Sequence, residues 1–75
     1  MHIEQLKLKR LVETEGYSSI TSLLEACVGD SVSPAICTRP ECDYSEEMEP
    51  DQDHGWCPEC NANTMKSALV LAGMV

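Results

Sequence analysis

Apolar positions divide the chain into three stretches. In the first, Ile3, Leu6, Leu8, Leu11 and Val12 fall mostly on one helical face. Gly16 follows them and suits a helix stop, because glycine enters the left-handed region without strain. After Tyr17-Ser18-Ser19 a second apolar set, Ile20, Leu23, Leu24, Cys27 and Val28, repeats at i, i+3, i+4, i+7 and i+8. Ser18 or Ser19 is placed to cap it, and Gly29-Asp30 to end it. Residues 2–28 are therefore expected to form an αα-hairpin, two short helices joined by a brief turn.

The middle stretch, from Asp30 to about Asn63, has no such period. It holds Pro34, Pro40, Pro50, Pro58 and Gly55, a density that excludes a long helix. Short strands and turns are expected, with Tyr44-Ser45 and Gly55-Trp56 as the two arms of one hairpin. The last stretch, Thr64 to Val75, carries a single charge at Lys66, so it must be buried against this chain or a partner. Its first few residues are expected to form a strand. Periodicity leaves the remainder open between strand and helix.

Composition changes the picture by removing the means of folding unaided. The chain has 75 residues, no Phe, one Trp and two Tyr. A core drawn from so short a chain supplies no more than about 3–5 kcal/mol, and such domains usually need a metal, disulfides or a partner. The cysteines number five, Cys27, Cys37, Cys42, Cys57 and Cys60, and an odd count argues against a closed disulfide framework. The N-terminal residues, charged at Glu4, Lys7, Lys9 and Arg10, lack the apolar core of a signal peptide. The longest apolar run, 68–75, is too short to span a bilayer as a helix. A cytoplasmic location is expected, where thiols stay reduced and clustered cysteines more often bind metal.

Four of the cysteines form two pairs. Cys37 and Cys42 are the ends of a C-x₄-C stretch, and Cys57 and Cys60 of a C-x₂-C stretch, with 14 residues between the pairs. Two thiol pairs at this separation suit one tetrahedral ion. Zn²⁺ is the expected occupant, because thiolates are soft donors and four of them close its coordination. A structural zinc site contributes roughly 10–16 kcal/mol of apparent free energy, several times what so small a core supplies. The competing reading, four reduced structural cysteines, leaves the stretch without a reason to fold.

The segment ICTRPECDYSEEMEPDQDHGWCPEC resembles a zinc ribbon of the rubredoxin-like class, in which two cysteine knuckles at hairpin tips clamp one metal. Cys42-Asp43-Tyr44 after the first knuckle and Trp56-Cys57-Pro58-Glu59-Cys60 at the second carry the likeness, over about a third of the chain. The sequence departs from the class in its four-residue first knuckle, its short inter-pair span, and Asn61 where Gly usually follows the second knuckle. These departures count against iron electron transfer more than against the metal site. The whole chain is also similar to small bacterial zinc-ribbon proteins of uncharacterised role, a likeness that implies no activity.

Trp56-Cys57-Pro58-Glu59-Cys60 also has the form of a thioredoxin-type dithiol. That chemistry needs a buried strand upstream and a βαβ scaffold. Upstream of Trp56 lies EEMEPDQDHG, and Asp51, Asp53 and Glu59 would raise a thiol's pKa. His54, three residues before Cys57, is a possible substitute ligand, but four cysteines already suffice. His2 reads as a surface residue, and Cys27, on the apolar face of its helix, as a small core residue.

Five Lys and Arg against thirteen Asp and Glu give a net charge of −8. Nucleic-acid affinity rests on neutralising phosphates, so this balance opposes it. Glu41, Asp43, Glu46, Glu47, Glu49, Asp51, Asp53 and Glu59 fall in one run without Lys or Arg. Such runs are more often solvated faces that discourage strand-edge aggregation than docking surfaces for a basic partner. Lys7, Lys9 and Arg10 on the first helix invite a helix-turn-helix reading, but the second helix carries only Glu25 as a charge. No Ser/His/Asp order, phosphate-cradling Gly loop or H-E-x-x-H occurs.

The expected protein is one small α+β domain over 1–75, with a helical hairpin at 2–28 packed on a zinc-ribbon segment at 34–75. Its expected metal ligands are Cys37, Cys42, Cys57 and Cys60, around one structural Zn²⁺. Its expected role is that of a non-enzymatic module that binds another protein. A rubredoxin-like iron carrier and a nucleic-acid-binding ribbon are the alternatives.

Overall fold

A computed structural model describes residues 3–29 and 31–74. Helix α1 spans Ile3–Glu15 and buries Lys7, Leu8 and Leu11, whereas Leu6 remains 48% exposed. The buried stripe is thus rotated from the expected one: it contains a lysine and leaves out a leucine. The helix stops at Gly16, whose φ is 80°. The Gly16 N–H donates to the Glu13 carbonyl at 3.3 Å and the Tyr17 N–H to the Val12 carbonyl at 3.0 Å. These paired bonds satisfy two terminal carbonyls and need a left-handed residue between them, which glycine supplies without cost.

Helix α2 spans Ile20–Val28. Ser19 is its cap, accepting from the Ser22 N–H at 3.1 Å. Leu23 and Cys27 are buried, and Ile20 and Leu24 pack against the same core. Asp30, expected to help end α2, and His2 lie outside the described residues.

The rest of the chain forms a curled, four-stranded antiparallel sheet. Its strands are β1 (Ser33–Cys37), β2 (Ser45–Met48), β3 (Gly55–Cys57) and β4 (Ala62–Ser67), in the spatial order β2-β1-β4-β3. β1 pairs with β2 in the register Ile36↔Ser45, and β3 with β4 in the register Cys57↔Ala62. The single hairpin expected from Tyr44-Ser45 and Gly55-Trp56 does not form. Each arm instead folds back across its own cysteine pair, and the two arms end on opposite edges of the sheet. The β1–β4 ladder, with partners Ala35↔Ser67, Ile36↔Lys66 and Cys37↔Met65, joins the two hairpins.

Pro34 lies within β1, a central strand, where a missing N–H would normally break a ladder. The Cys37 N–H faces β2, donating to the Tyr44 carbonyl at 2.9 Å. Alternation along the strand therefore turns the Pro34 nitrogen toward β4. The β1–β4 ladder ends at Ala35↔Ser67, so no hydrogen bond is lost.

Alternation also assigns β1 to two cores. Ile36 joins Leu8, Leu11, Leu23, Cys27, Ala68, Leu69 and Leu71 beneath the helices. Ala35 and Cys37 face the concave side with Cys57 and Met65, flanked by Tyr44 and Met48. The curl brings the outer strands together there. A Cβ on Gly55 of β3 would stand 2.5 Å from Met48 Sδ of β2 and 3.1 Å from Met65 Cβ.

The segment after β4 resolves as both structures left open by its pattern: strand to Ser67, then one helical turn, α3 (Ala68–Leu71). Ser67 makes the switch. Its Oγ accepts from the Val70 N–H at 3.2 Å and donates to the Pro50 carbonyl. Ala68, Leu69 and Leu71 are buried against α1 and α2, so this chain covers the middle of the apolar tail, whereas Met74 is 52% exposed and Val75 lies outside the described residues. Among the described residues no helix is long and apolar enough to cross a membrane.

Candidate metal centre

Both cysteine pairs sit at hairpin tips. Cys37 closes β1 and Cys57 closes β3; both are buried. Cys42 and Cys60 lie in the two connecting turns and are half-buried. The β1–β4 ladder sets the tips side by side, and all four Sγ atoms lie within 4.8 Å of one another. Cys37 Sγ is 3.6 Å from Cys60 Sγ, and Cys42 Sγ is 3.8 Å from Cys57 Sγ. Four sulfurs each about 2.3 Å from a central Zn²⁺ in a tetrahedron are about 3.8 Å apart. A disulfide needs about 2.05 Å, so the cysteines are free thiols spaced as ligands.

The second knuckle is closed by its own backbone. The Asn61 N–H donates to the Cys57 carbonyl at 2.8 Å, with Asn61 at φ 53°. That left-handed position is where glycine is usual, and asparagine is the side chain that tolerates it best. The departure at Asn61 therefore preserves the turn. The first knuckle, with four intervening residues, has one internal backbone–backbone bond, from the Cys42 N–H to the Arg39 carbonyl at 3.1 Å. Its near end is pinned to β4: the Thr38 N–H and Oγ1 both donate to the Thr64 carbonyl, at 2.9 and 2.7 Å.

Thr64 Oγ1 also lies 3.1 Å from Cys37 Sγ. Burial pushes the Cys37 thiol up, but hydrogen bonds from Thr64, the Arg39 backbone, Cys60 and Cys42 outweigh it and bring the thiol down to about 7. Cys60 is pushed up to about 12 by burial and by the neighbouring Cys42, Cys37 and Cys57 sulfurs. At Cys42 a backbone hydrogen bond from Tyr44 lowers the thiol, yet burial and the Cys37 and Cys57 sulfurs raise it overall. Four sulfurs this close cannot all ionise without a cation among them. A divalent ion removes that repulsion, and its binding must expel the remaining protons.

Two contributors were not evident from sequence. Thr64 is one, and nothing in its surroundings in the chain singles it out. Lys7 is the other. It is 3% exposed, and its Nζ donates to the Cys42 carbonyl and to Asp43 Oδ1, the latter at 2.9 Å. Ile3, Lys7 and Leu11 are spaced i, i+4, i+8, so period alone places Lys7 on the buried stripe. Arg10 reaches the other Asp43 oxygen at 3.5 Å. Lys7 and Arg10 of α1 thus face the first knuckle.

His54 is exposed and pairs with Asp53 at 3.6 Å, apart from the sulfurs. Cys27 is buried among leucines, with Ser33 Oγ donating to its sulfur at 3.5 Å. On the open side of the centre, Arg39, Glu41, Asp43 and Glu59 surround Cys42 and Cys60.

No family model matches this chain, and no curated protein or solved structure does either.

Proposed function

We propose that the protein is a small zinc module whose single Zn²⁺, held by Cys37, Cys42, Cys57 and Cys60, is structural, and that it acts by binding another protein. The observation that carries the reading is the convergence of four sulfurs within 4.8 Å at the tips of two hairpins. Four thiolates fill a tetrahedral ion's coordination and leave no position for a substrate. The net charge of −8 disfavours nucleic acid as the partner. Trp56 supports a protein partner: it is 53% exposed beside the centre, and tryptophan is enriched where proteins meet.

Elemental analysis of protein purified without added metal tests the metal. The expected result is one equivalent of zinc. One equivalent of iron, with a reversible one-electron couple, would replace the structural reading with a rubredoxin-like carrier. Affinity capture from the native cell, comparing the wild type with Trp56→Ala, tests the partner. A specific protein retained by the wild type and lost from the variant is expected.

A further inference from the structure

We propose that Lys7 is a positioning residue of the metal centre: from α1 it fixes the first knuckle in its metal-ready shape, so the rate of metal release is governed in part by the helical hairpin. This rests on the structural-metal reading above.

The two knuckles are not equally determined. The second has two residues between its cysteines and closes on itself through Asn61. The first has four, and Cys42 lies outside any strand, held within its loop by one bond to Arg39. A longer loop has more conformations to lose when its end is fixed. Cys42 is also one of the two half-buried sulfurs, so it is exposed to competing ligands. The Tyr44 backbone bonds its sulfur, and its carbonyl side needs a further grip from outside the loop.

Lys7 meets that need. An ammonium beneath a helix is costly to bury unless paired and hydrogen-bonded. Both of its bonds go to adjacent residues of the first knuckle, the carbonyl of Cys42 and the carboxylate of Asp43. Arg10 adds a second cation on the same carboxylate. The other ion pair that reaches α1 differs. Lys66 joins Asp53 at 2.9 Å and Glu4 at 3.8 Å, and touches neither knuckle.

The test uses the full chain loaded with zinc. Release is timed after mixing with excess chromogenic chelator, and Co²⁺-substituted protein is examined by absorption. Lys7→Met keeps the aliphatic stem and removes the grip. It is expected to release zinc about 10–100-fold faster, the usual scale for losing an outer partner of a metal ligand. It should also perturb the cobalt–thiolate bands, and Lys7→Arg should restore both readouts in part. Asp43→Asn should speed release by a smaller factor, and by less still in the double variant with Lys7→Met, where only the Arg10 contact is left to lose. Lys66→Met should release zinc at the wild-type rate.

Wild-type release rates and unaltered cobalt bands in Lys7→Met would overturn the proposal. Should that variant not fold, Asp43→Asn, changed at a half-exposed side chain, decides by the same readouts. Wild-type protein that takes up no zinc or cobalt would sink the metal reading itself. Normal uptake with unaltered release in the variants would sink only the role of Lys7.

Discussion

Cys27 and Cys37 are both buried, yet their surroundings differ. Cys27 has leucines around it and one hydroxyl on its sulfur, while Cys37 has three other sulfurs within 4.8 Å. Replacing Cys27 by Ala removes one sulfur's packing and should cost about 1 kcal/mol, the central value for a point substitution. Cys42→Ser or Cys60→Ser removes one of the four proposed ligands and should unfold the ribbon. Thermal melts by circular dichroism check the contrast, and a more damaging Cys27→Ala would refute the ligand assignment. Gly55 is a different constraint. A methyl group there would stand 3.1 Å from Met65 Cβ and closer still to Met48, so Gly55→Ala should destabilise by about 1–3 kcal/mol through overpacking. Denaturant titration would measure it. Lys7 shows why residue type misleads: a lysine reads as surface, and only its position on the i, i+4 stripe with Ile3 and Leu11 discloses its burial.

The end of α1 and the start of α2 are set by local devices, and both were legible, whereas the Ser67 cap of α3 was not. Gly16 at φ 80° and Ser19 accepting from Ser22 stand where the apolar period breaks. Gly16→Ala should cost about 1–2 kcal/mol, because a Cβ is strained in the left-handed region even where there is room for it. A lowered midpoint in urea with an unchanged slope would confirm this. The cysteine spacing was equally plain, since ligand pairs are local in sequence. The strands were harder to read. β1 is buried at all five positions, so SPAIC shows no alternation, and Pro34 argues against a strand unless one knows where the β4 ladder stops. The pairing of Tyr44-Ser45 with Gly55-Trp56 was misjudged for a related reason. Which strand lies beside which depends on the β1–β4 contact between residues some thirty apart, and no local signal encodes it.

For the whole molecule, a metal bound as proposed competes with protons for the same sulfurs. Cys60 holds its proton up to about 12 and Cys42 is also raised, so metal binding displaces protons across the neutral range. Cys37, brought down to about 7, adds another as pH falls through that value. Apparent affinity should therefore rise with pH throughout, and most steeply below about pH 7. Competition with a chelator of known affinity at several pH values measures it. Chelation at fixed pH should abolish the ribbon's fold, since a core this small supplies only about 3–5 kcal/mol by itself. A circular dichroism spectrum unchanged after exhaustive chelation would contradict that.

The ladder between β1 and β4 and the four sulfurs span the same gap in the chain. Both tie the hairpin that ends at Met48 to the one that begins at Gly55. The peptide between them, residues 49–54, is fastened to the end of β4 through the Pro50 and Gln52 carbonyls, but it is not the only link between the two hairpins. A single protease cut there should leave two fragments that migrate as one particle while the ion is bound, and that part when it is withdrawn.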